Sequence, residues 1–521
     1  MTDSKNHPAE DADHAGLAQL SDPADPAEVD ALEAALVGPS MADRVEMVLR
    51  PLGRDRYRAR SALGSVEFER TELDGRYDYR VVHVEGRNPL ERQDTNTLLG
   101  VSHEPSTPPP TVLDNSFPHA FDSIAQFFDS EHAPDLLATH SASHTREQNV
   151  GHHGSLGIVQ ARAPFIAAGA GVANLGVLDR STRVVDVAPT IARLLGIEPH
   201  PDGVGPTGAP RADALLRRQD GDPLLEILDG TTAEHVVVIL LDGCNVDLLH
   251  DVVAAGEAPN VASLIERGVS MRRGAFASLP TATLANHTTA VTGAHPGHSG
   301  VLHNAWIDRT DGSSPDLLGM DQMFWAMQHM NDDVETLFQA LQRCRPGSFS
   351  TATFEFCDTG ASFSSFAEVR AGTSEGLPDL DDVTHVDRPS ADVSDAYRFM
   401  SIVDHVSVEH TLRAWRQDLG NPLPALSWCS LAVTDEAGHE SGPHGPLTRA
   451  AVRDSDARIG ELLRAVEVAG VADSTAIVVI ADHGMEQSDP SADRPWDDDL
   501  AACGVAHRIV GDGFVYLDGG Q

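Results

Sequence analysis

The 521-residue chain is long enough to bury a large core, and its hydrophobic fraction of 41% is ordinary for a globular protein. Its formal net charge of −42 excludes nucleic acid polymers and anionic lipid surfaces as partners held by bulk charge, because both would be repelled. The five scattered cysteines have no CxxC spacing, which excludes a disulfide framework and a thiolate zinc site and indicates a cytoplasmic protein with reduced thiols.

The first part of the chain predicts a tail, a group of strands and a histidine loop. Residues 1–28 are acidic and aperiodic, which indicates a disordered tail, and they lack the pattern of a secretory signal. Residues 56–86 alternate apolar and polar side chains at the period of β-strands. The sequence GHHG at 151–154 precedes a short apolar strand and then a helix that begins near Pro189.

The second part begins with a linker and a buried strand. Residues 200–232 are rich in Pro, Gly and Asp and predict a surface linker with one helix at about 211–218. The apolar run from His235 then ends at Asp242, as a buried parallel strand does when it delivers a carboxylate to the edge where α/β sheets bind ligands. Residues 307–424 mix strand, helix and polar signals and predict a cap-like insert, and no apolar run is long enough to span a membrane.

Four loops, each after an apolar strand-like run, carry side chains that can bind a metal. A lone Asp at a strand end is more often a turn former or a helix cap, and a lone surface His is seldom a ligand. The repetition in four segments favours a metal centre, because every such alternative would have to hold independently. Oxygen and nitrogen donors without sulfur suit Zn²⁺ and are also acceptable to Mn²⁺. The candidates are Asp242, Asp435, His439, Asp482, His483 and either His152 or His153.

These residues lie in motifs that resemble the type I phosphodiesterase/nucleotide pyrophosphatase branch of the alkaline phosphatase superfamily. In that branch the threonine of a PTxTxxN pattern is the nucleophile, and it falls here on Thr283. An asparagine that holds a phosphoryl oxygen lies 21 residues on, at Asn304. A shifted register would make Thr281 the nucleophile, which this spacing disfavours. The motifs in this chain are LLDG, PTATLANH, TGxxPxxSG, HN, DxxGH and DHGM.

The resemblance implies a fold, a metal content and a mechanism. The fold is α/β, an alkaline phosphatase-like three-layer α/β/α sandwich with a mostly parallel central sheet. The cofactors are two divalent metal ions, expected to be Zn²⁺ with Mn²⁺ as the alternative, and the reaction passes through a phosphothreonyl intermediate. One ion would be held by Asp242, Thr283, Asp482 and His483, and the other by Asp435, His439 and a last histidine.

The position of that last histidine departs from the family pattern. In the family it lies well after DHGM, whereas only 38 residues follow His483 here and none forms such a loop. The GHHG loop, the buried strand and the helix after it resemble the family's C-terminal sequence, and the family places the ligand directly before Gly, which favours His153 over His152.

We therefore expect a circular permutant whose ring is opened after Gly520. Residues 29–199 would then correspond to the C-terminal part of the fold, 233–521 to the N-terminal part, and 200–232 would join the old termini. The alternative is an unrelated N-terminal domain that happens to contain GHHG. His287 and His444 are interpreted as supporting or structural histidines.

The protein is expected to hydrolyse a small-molecule phosphate ester, and a phosphodiesterase or nucleotide pyrophosphatase is the favoured class. On the same fold, a phosphonate hydrolase that cleaves a carbon–phosphorus bond or a phosphomonoesterase is the alternative. From another class, a catalytically silent binding or scaffolding protein is also considered. The oligomeric state and the substrate stay open.

Overall fold

The computed structural model describes residues 24–96, 98–101, 111–140, 149–319, 322–374, 394–489, 497–511 and 513–517. The predicted tail lies outside these residues up to residue 23, and its last residues, from Pro26, begin the first helix. The Pro-rich stretch at 102–110 and most of the polar stretch within the predicted insert, 375–393, also lie outside them.

The strands in the described residues are β1 (Val45–Gly53), β2 (Arg56–Ser61), β3 (Gly64–Leu73), β4 (Arg76–Gly86), β5 (Leu136–His140), β6 (Gly151–His152), β7 (Arg162–Ala163), β8 (Phe165–Gly169), β9 (Gly176–Leu178), β10 (Thr182–Arg183), β11 (His235–Leu241), β12 (Gly268–Met271), β13 (Ala275–Phe276), β14 (Ser350–Thr353), β15 (Phe363–Ser364), β16 (Leu426–Leu431), β17 (Thr475–Ile480), β18 (Glu486–Gln487), β19 (His507–Val510) and β20 (Phe514–Leu517).

The α-helices are α1 (Pro26–Leu36), α2 (Ala120–Phe127), α3 (Ile158–Ala161), α4 (Val187–Leu194), α5 (Val246–Ala254), α6 (Pro259–Glu266), α7 (Thr283–Thr292), α8 (Pro296–Ser299), α9 (Leu337–Cys344), α10 (Ser365–Ala371), α11 (Asp395–Trp415), α12 (Val433–Ser441), α13 (Pro446–Val468) and α14 (Asp497–Ala501). No helix within the described ranges combines the length and apolar character needed to cross a bilayer.

The central sheet has eight strands in the order β15-β14-β16-β11-β17-β8-β12-β9. All of them run parallel except β8, which is antiparallel to both of its neighbours. Ile239 at the middle of β11 lies beside Cys429 of β16 and Val479 of β17, and these apolar residues are fully buried. Such continuous apolar runs are typical of strands covered on both faces.

Helices cover the central sheet in two groups. In one group α11 packs on β14 and β16, α6 packs on β8 and β12, and α13 contacts α5 and α6. In the other group α4 contacts α7 and α9, and all three contribute side chains to the core cluster that includes the sheet. The predicted α/β fold with a mostly parallel central sheet is confirmed.

A second sheet, in the order β19-β20-β5-β1-β2-β3-β4, is antiparallel throughout. It combines strands from both ends of the chain, because β20 pairs with β5 through Phe514 and Leu137. The predicted segment 29–199 is therefore divided: β1 to β5 belong to this second sheet, whereas β8 and β9 belong to the central one. The alternating pattern of 56–86 does form strands, as predicted.

Two finer expectations need correction. The range 307–424 is not one cap, because β14 and β15 within it are strands of the central sheet and α11 packs on that sheet. The helix expected at 211–218 does not form. Val204 instead makes isolated bridges to Pro210 and Arg218, so the backbone groups of this Pro- and Gly-rich stretch bond across a loop and not along a helix.

A buried polar cluster ties the second sheet to the junction at 200–232. The Nδ1 atom of His298, on α8, lies 2.7 Å from Asp220 Oδ2, and its Nε2 lies 2.9 Å from Asp129 Oδ2. Arg70 of β3 donates to the same Asp129 carboxylate at 2.7 Å. Burial opposes the charged form of His298, but the two carboxylates outweigh it and raise its pKa above 6.5.

We predict that His298→Gln lowers the free energy of unfolding by about 3 kcal/mol, because it leaves buried charges without their partner. A histidine with a raised folded-state pKa contributes stability that is full below pH 6.5 and lost as pH rises through the folded-state pKa. The deficit should therefore shrink with rising pH, which denaturant unfolding at several pH values measures. His83→Gln, at an exposed site on β4, is the control. A deficit independent of pH would contradict this account.

Candidate metal centre

Four neighbouring parallel strands of the central sheet end at the same edge, and a carboxylate follows each of them. In spatial order they are β14, β16, β11 and β17. Asp242 directly follows β11, Asp482 follows β17, and Asp435 lies in the first turn of α12, just after β16. Glu355 follows β14 and was not predicted, although it carries the same signal of a carboxylate after a short buried strand. Glu355 was not recognised as a site residue because it lies within the range 307–424 that was predicted to be an insert.

Asp242 and Asp482, here called the aspartate pair, lie beside His483 and Thr283. The Nε2 atom of His483 is 3.1 Å from Asp482 Oδ2, 3.8 Å from Asp242 Oδ1 and 3.4 Å from Thr283 Oγ1. Gly243 N donates to Asp482 Oδ1 at 3.1 Å, and this bond holds the Asp482 carboxylate beside the end of β11, where Asp242 lies. The structure thus brings together the four residues expected at the first metal site.

Asp435, His439 and His153 form a second set, here called the Asp435 group. The Nε2 atom of His439 lies 3.3 Å from Asp435 Oδ2, and His153 Nε2 lies 3.6 Å from Asp435 Oδ1 and 3.2 Å from His439 Nε2. The pairing of β6 with β18 brings the GHHG loop to this edge, since His152 lies opposite Glu486, four residues after Asp482. His153, and not His152, contacts the Asp435 carboxylate.

Hydrogen bonds bear on the tautomers of the three histidines. Each Nδ1 lies near a backbone carbonyl oxygen: His153 with Thr281 O at 2.8 Å, His439 with Gly151 O at 2.9 Å and His483 with Gly484 O at 2.9 Å. A carbonyl only accepts, so the Nδ1 atoms of His153 and His483 carry the proton and their Nε2 atoms present lone pairs, whereas His439 Nδ1 also has a donor beside it, Asn149 Nδ2 at 3.2 Å. The Nε2 atoms of His153 and His439 lie 3.2 Å apart beside the Asp435 carboxylate, so one cation could contact both rings.

Burial and charge also fit a cation between the two sets. One oxygen of each of the three aspartates, Asp242 Oδ1, Asp435 Oδ1 and Asp482 Oδ2, is buried without a hydrogen-bond partner. Burial and the neighbouring carboxylates of Asp482 and Asp435 raise the pKa of Asp242 well above its ordinary value, and burial also raises the pKa of Asp482. Buried carboxylates that repel each other in this way are stabilised by a bound cation.

Burial holds the imidazoles of His153 and His483 in the neutral form that binds metals. Burial, reinforced by His483, lowers the pKa of His153 to about 3, and burial lowers the pKa of His483 to about 4. Burial works against ionisation of Asp435 too, but the nearby His439 and His153 outweigh it and lower its pKa. Neutral imidazoles and ionised carboxylates are the ligand forms of both zinc and manganese sites.

Among the residues that the structure describes, two sets of donor atoms lie within 4.8 Å of one another and could hold a metal ion: Asp242, Asp482 and His483, and His153, Asp435 and His483. His483 is common to both, whereas the sequence assigned it to the first site. The residues present therefore fit divalent cations bound between the aspartate pair and the Asp435 group.

The hydroxyl groups distinguish the two candidate nucleophiles. Thr281 Oγ1 donates to Ser155 O at 2.8 Å and accepts from Gly154 N at 2.9 Å, so it supports the GHHG loop. Thr283, the first residue of α7, directs Oγ1 towards His483. Asn304 Oδ1 accepts from Leu284 N at 3.1 Å, and this bond holds its amide beside the start of α7.

Comparison with known proteins identifies the family of this chain. The sequence model of the type I phosphodiesterase/nucleotide pyrophosphatase family matches residues 236–519, more than half of the chain. The chain belongs to this family, and with it to the alkaline phosphatase superfamily. The matched range contains the aspartate pair, Thr283, Asn304, His439 and His483, whereas His153 lies before it.

Two curated relatives are similar over about half of the chain. An uncharacterized pyrophosphatase/phosphodiesterase of Schizosaccharomyces pombe is 26% identical over 281 residues, 52% of this chain and 49% of the relative. Ectonucleotide pyrophosphatase/phosphodiesterase 1 of Saccharomyces cerevisiae is 24% identical over 289 residues, 51% of this chain and 36% of the relative. The chain thus spans half or less of the length of these relatives.

Solved structures give similar coverage. Murine ectonucleotide pyrophosphatase/phosphodiesterase 5 in complex with AMP is 19% identical, with 49% of this chain and 58% of that chain covered and a TM-score of 0.34. Phosphonoacetate hydrolase from Sinorhizobium meliloti in complex with phosphonoformate is 20% identical, with 48% and 57% covered and a TM-score of 0.34.

We predict that Asp242→Asn stabilises the metal-free chain by about 1–2 kcal/mol while weakening metal binding, because it removes one of the buried carboxylates that repel each other. A carboxylate with a raised folded-state pKa destabilises the fold as pH rises, so the gain should increase with pH. Chemical unfolding in the presence of a chelator measures it. Asp186→Asn is the control. The Thr182 hydroxyl, the Arg183 guanidinium and the backbone N–H of Asp222 donate to the Asp186 carboxylate, so loss of its charge should destabilise the fold. A destabilised Asp242→Asn would refute the repulsion.

Proposed function

We propose that this protein is a metal-dependent hydrolase of small-molecule phosphate esters, and specifically a phosphodiesterase or nucleotide pyrophosphatase that acts through a phosphothreonyl intermediate. The observation that carries the proposal is the position of Thr283 Oγ1, 3.4 Å from His483 Nε2 at the edge where the buried carboxylates meet. Family membership supports the class of reaction. The small-molecule substrate and the cytoplasmic location remain predictions.

Thr283 is suited to the nucleophilic role by its place in the fold. As the first residue of α7 it lies where unpaired backbone N–H groups and the helix dipole favour an anionic phosphoryl group. Its oxygen would form a bond to phosphorus while the bond from phosphorus to the leaving oxygen breaks. Water would then cleave the phosphothreonyl ester, which releases phosphate or a phosphate monoester and restores the hydroxyl.

Asn304 is suited to hold the phosphoryl group during both steps. Its Oδ1 already accepts from Leu284 N, so its Nδ2 hydrogens remain as donors to an equatorial phosphoryl oxygen. The same bond ties Asn304 to the first turn of α7, which keeps the donor and Thr283 in a fixed relation.

Two divalent cations, expected to be Zn²⁺, would lower the pKa of the threonine hydroxyl and offset the charge of the phosphoryl oxygens. The aspartate pair, His483 and Thr283 would hold one, and the Asp435 group the other. The nonbonded carboxylate oxygens and the adjacent imidazole nitrogens of His153 and His439 support this assignment.

We also propose that the catalytic fold is circularly permuted. His153, from upstream of the family match, completes the Asp435 group, as ring closure requires. The ends of the described chain lie in one core cluster, in which Leu32 and Leu36 of α1 pack with Leu500, Val515 and Leu517. Adjacent ends make a change of chain order tolerable.

We expect Thr283→Ala to lower turnover of phosphate esters by at least about 10³-fold with little loss of metal, because the nucleophile is removed and the carboxylates remain. Initial rates with nitrophenyl phosphodiesters, phosphomonoesters and phosphonoacetate, together with metal analysis, test this. Thr289→Ala, a buried change on the same helix, is the control. Full activity in Thr283→Ala would exclude it as nucleophile. If the wild type turned over phosphonoacetate but none of the esters, the protein would be a phosphonate hydrolase. If the wild type bound no metal and had no activity, it would be a catalytically silent binding protein.

The permutation has its own test. We expect His153→Ala to lower the metal content by about one ion per chain, because it removes a ligand from the Asp435 group. His152→Ala, the neighbouring change, should retain both ions. Elemental analysis after equilibration with limiting zinc measures the stoichiometry, and an unchanged content in His153→Ala would contradict the proposed closure of the ring.

A further inference from the structure

A buried imidazole and a buried carboxylate lie behind the aspartate pair. His287 is on α7, one turn after Thr283, and both His287 and Glu355 are completely buried. His287 Nδ1 lies 2.9 Å from Glu355 Oε2. Its Nε2 atom lies 3.8 Å from Asp242 Oδ2 and 4.0 Å from Asp482 Oδ2.

We propose that Glu355 acts through the His287 imidazole to fix the carboxylates of the aspartate pair as metal ligands. Both are positioning residues, because neither is among the donor sets that could bind the ions. This proposal rests on the proposed function only in so far as the site binds metal.

The first support is the geometry of the ring. Glu355 can only accept a hydrogen bond when ionised, so the short contact requires a proton on His287 Nδ1 and sets the orientation of the imidazole. That orientation directs Nε2 to a point nearly equidistant from the two aspartates. Nε2 makes no hydrogen bond to either carboxylate, but a ring fixed within 4.0 Å of both limits the positions that they can adopt. Restricted ligands bind metals more tightly because less freedom is lost on binding.

The second support is the way in which Glu355 is itself held. Its Oε1 accepts from Cys357 N at 3.1 Å, and its Oε2 accepts from Ser430 Oγ at 3.3 Å. Ser430 Oγ in turn accepts from Trp428 Nε1 at 3.2 Å, on the adjacent strand β16. A chain of hydrogen bonds from the sheet thus immobilises the Glu355 carboxylate that contacts the His287 imidazole.

The third support is the backbone immediately before Glu355. Phe354 has a φ of 50°, in the left-handed region that bulky residues rarely adopt, and its N–H donates to Ser365 Oγ at 2.8 Å. This conformation costs free energy and persists where the surrounding structure requires it, most often at functional sites. Here it turns the chain at the end of β14 so that Glu355 faces inward.

The test is zinc binding to the full chain, measured by competition with a chromophoric chelator without substrate. We expect Glu355→Gln, which keeps the size and removes the charge, to weaken binding of one of the two ions by about 10-fold and to leave the other unchanged. The zinc concentration for half-maximal hydrolysis should rise in parallel, with the rate at saturating zinc retained.

A double-variant comparison tests whether Glu355 acts through His287. In a His287→Asn background, Glu355→Gln should change zinc affinity by less than about twofold, because the intermediary is already lost. Independent, additive losses would overturn the proposed route. Glu33→Gln is the matched control: Glu33 is equally buried but pairs with Arg50 and Arg58 in the second sheet, so it should leave zinc affinity unchanged.

The outcomes separate this proposal from the proposed function. If the wild type binds two ions and hydrolyses no phosphate ester, the function is refuted and the positioning role still stands on the binding data. If the wild type hydrolyses esters and Glu355→Gln binds zinc as the wild type does, the positioning role is refuted alone. A wild type that binds no divalent ion overturns both.

Discussion

The repulsion among buried carboxylates at one edge of the central sheet is the constraint on which this structure depends. Asp242, Asp482 and Asp435 each retain an oxygen without a hydrogen-bond partner, and burial makes their mutual repulsion stronger than it would be in water. Such an arrangement destabilises a fold unless a cation compensates for it. The apolar core of β11, β16 and β17 stabilises the strands strongly enough to keep these charges together.

The parallel sheet explains why the charges converge. Strands that run in one direction end at a common edge, so the residues after them meet without any long-range signal in the sequence. The antiparallel β8 has a different role: it carries the chain from the GHHG loop into the sheet beside β17, and the adjacent β6 pairs with β18. His153 consequently reaches the same edge from the opposite end of the chain. All the proposed ligands therefore lie at one edge of the sheet, although they come from two distant segments of the chain.

Most residues of this edge could be predicted from the sequence, and the parts that could not be predicted have physical reasons. Asp242, Asp482 and Thr283 lie in motifs whose spacing is set by local turns, so the sequence carries the information directly. The second sheet was not foreseen, because alternation at 56–86 defines strands but not their partners, and β20 comes from the far end of the chain. Glu355 was missed because it follows a strand of only four residues, and the loop at 211–218 was mistaken for a helix because composition does not reveal bridges such as those of Val204.

The two halves of α7 connect these observations. Its first residue, Thr283, faces the charged edge, and one turn later His287 contacts the aspartate pair from behind. At its other end Gly293 O accepts from Asp220 N, and Asp220 bonds His298 in the cluster that reaches the second sheet. A single buried helix thus carries Thr283 and His287 and contacts the junction. Because every residue of this helix is buried, close packing holds the side chains near its two ends in a fixed relation to each other.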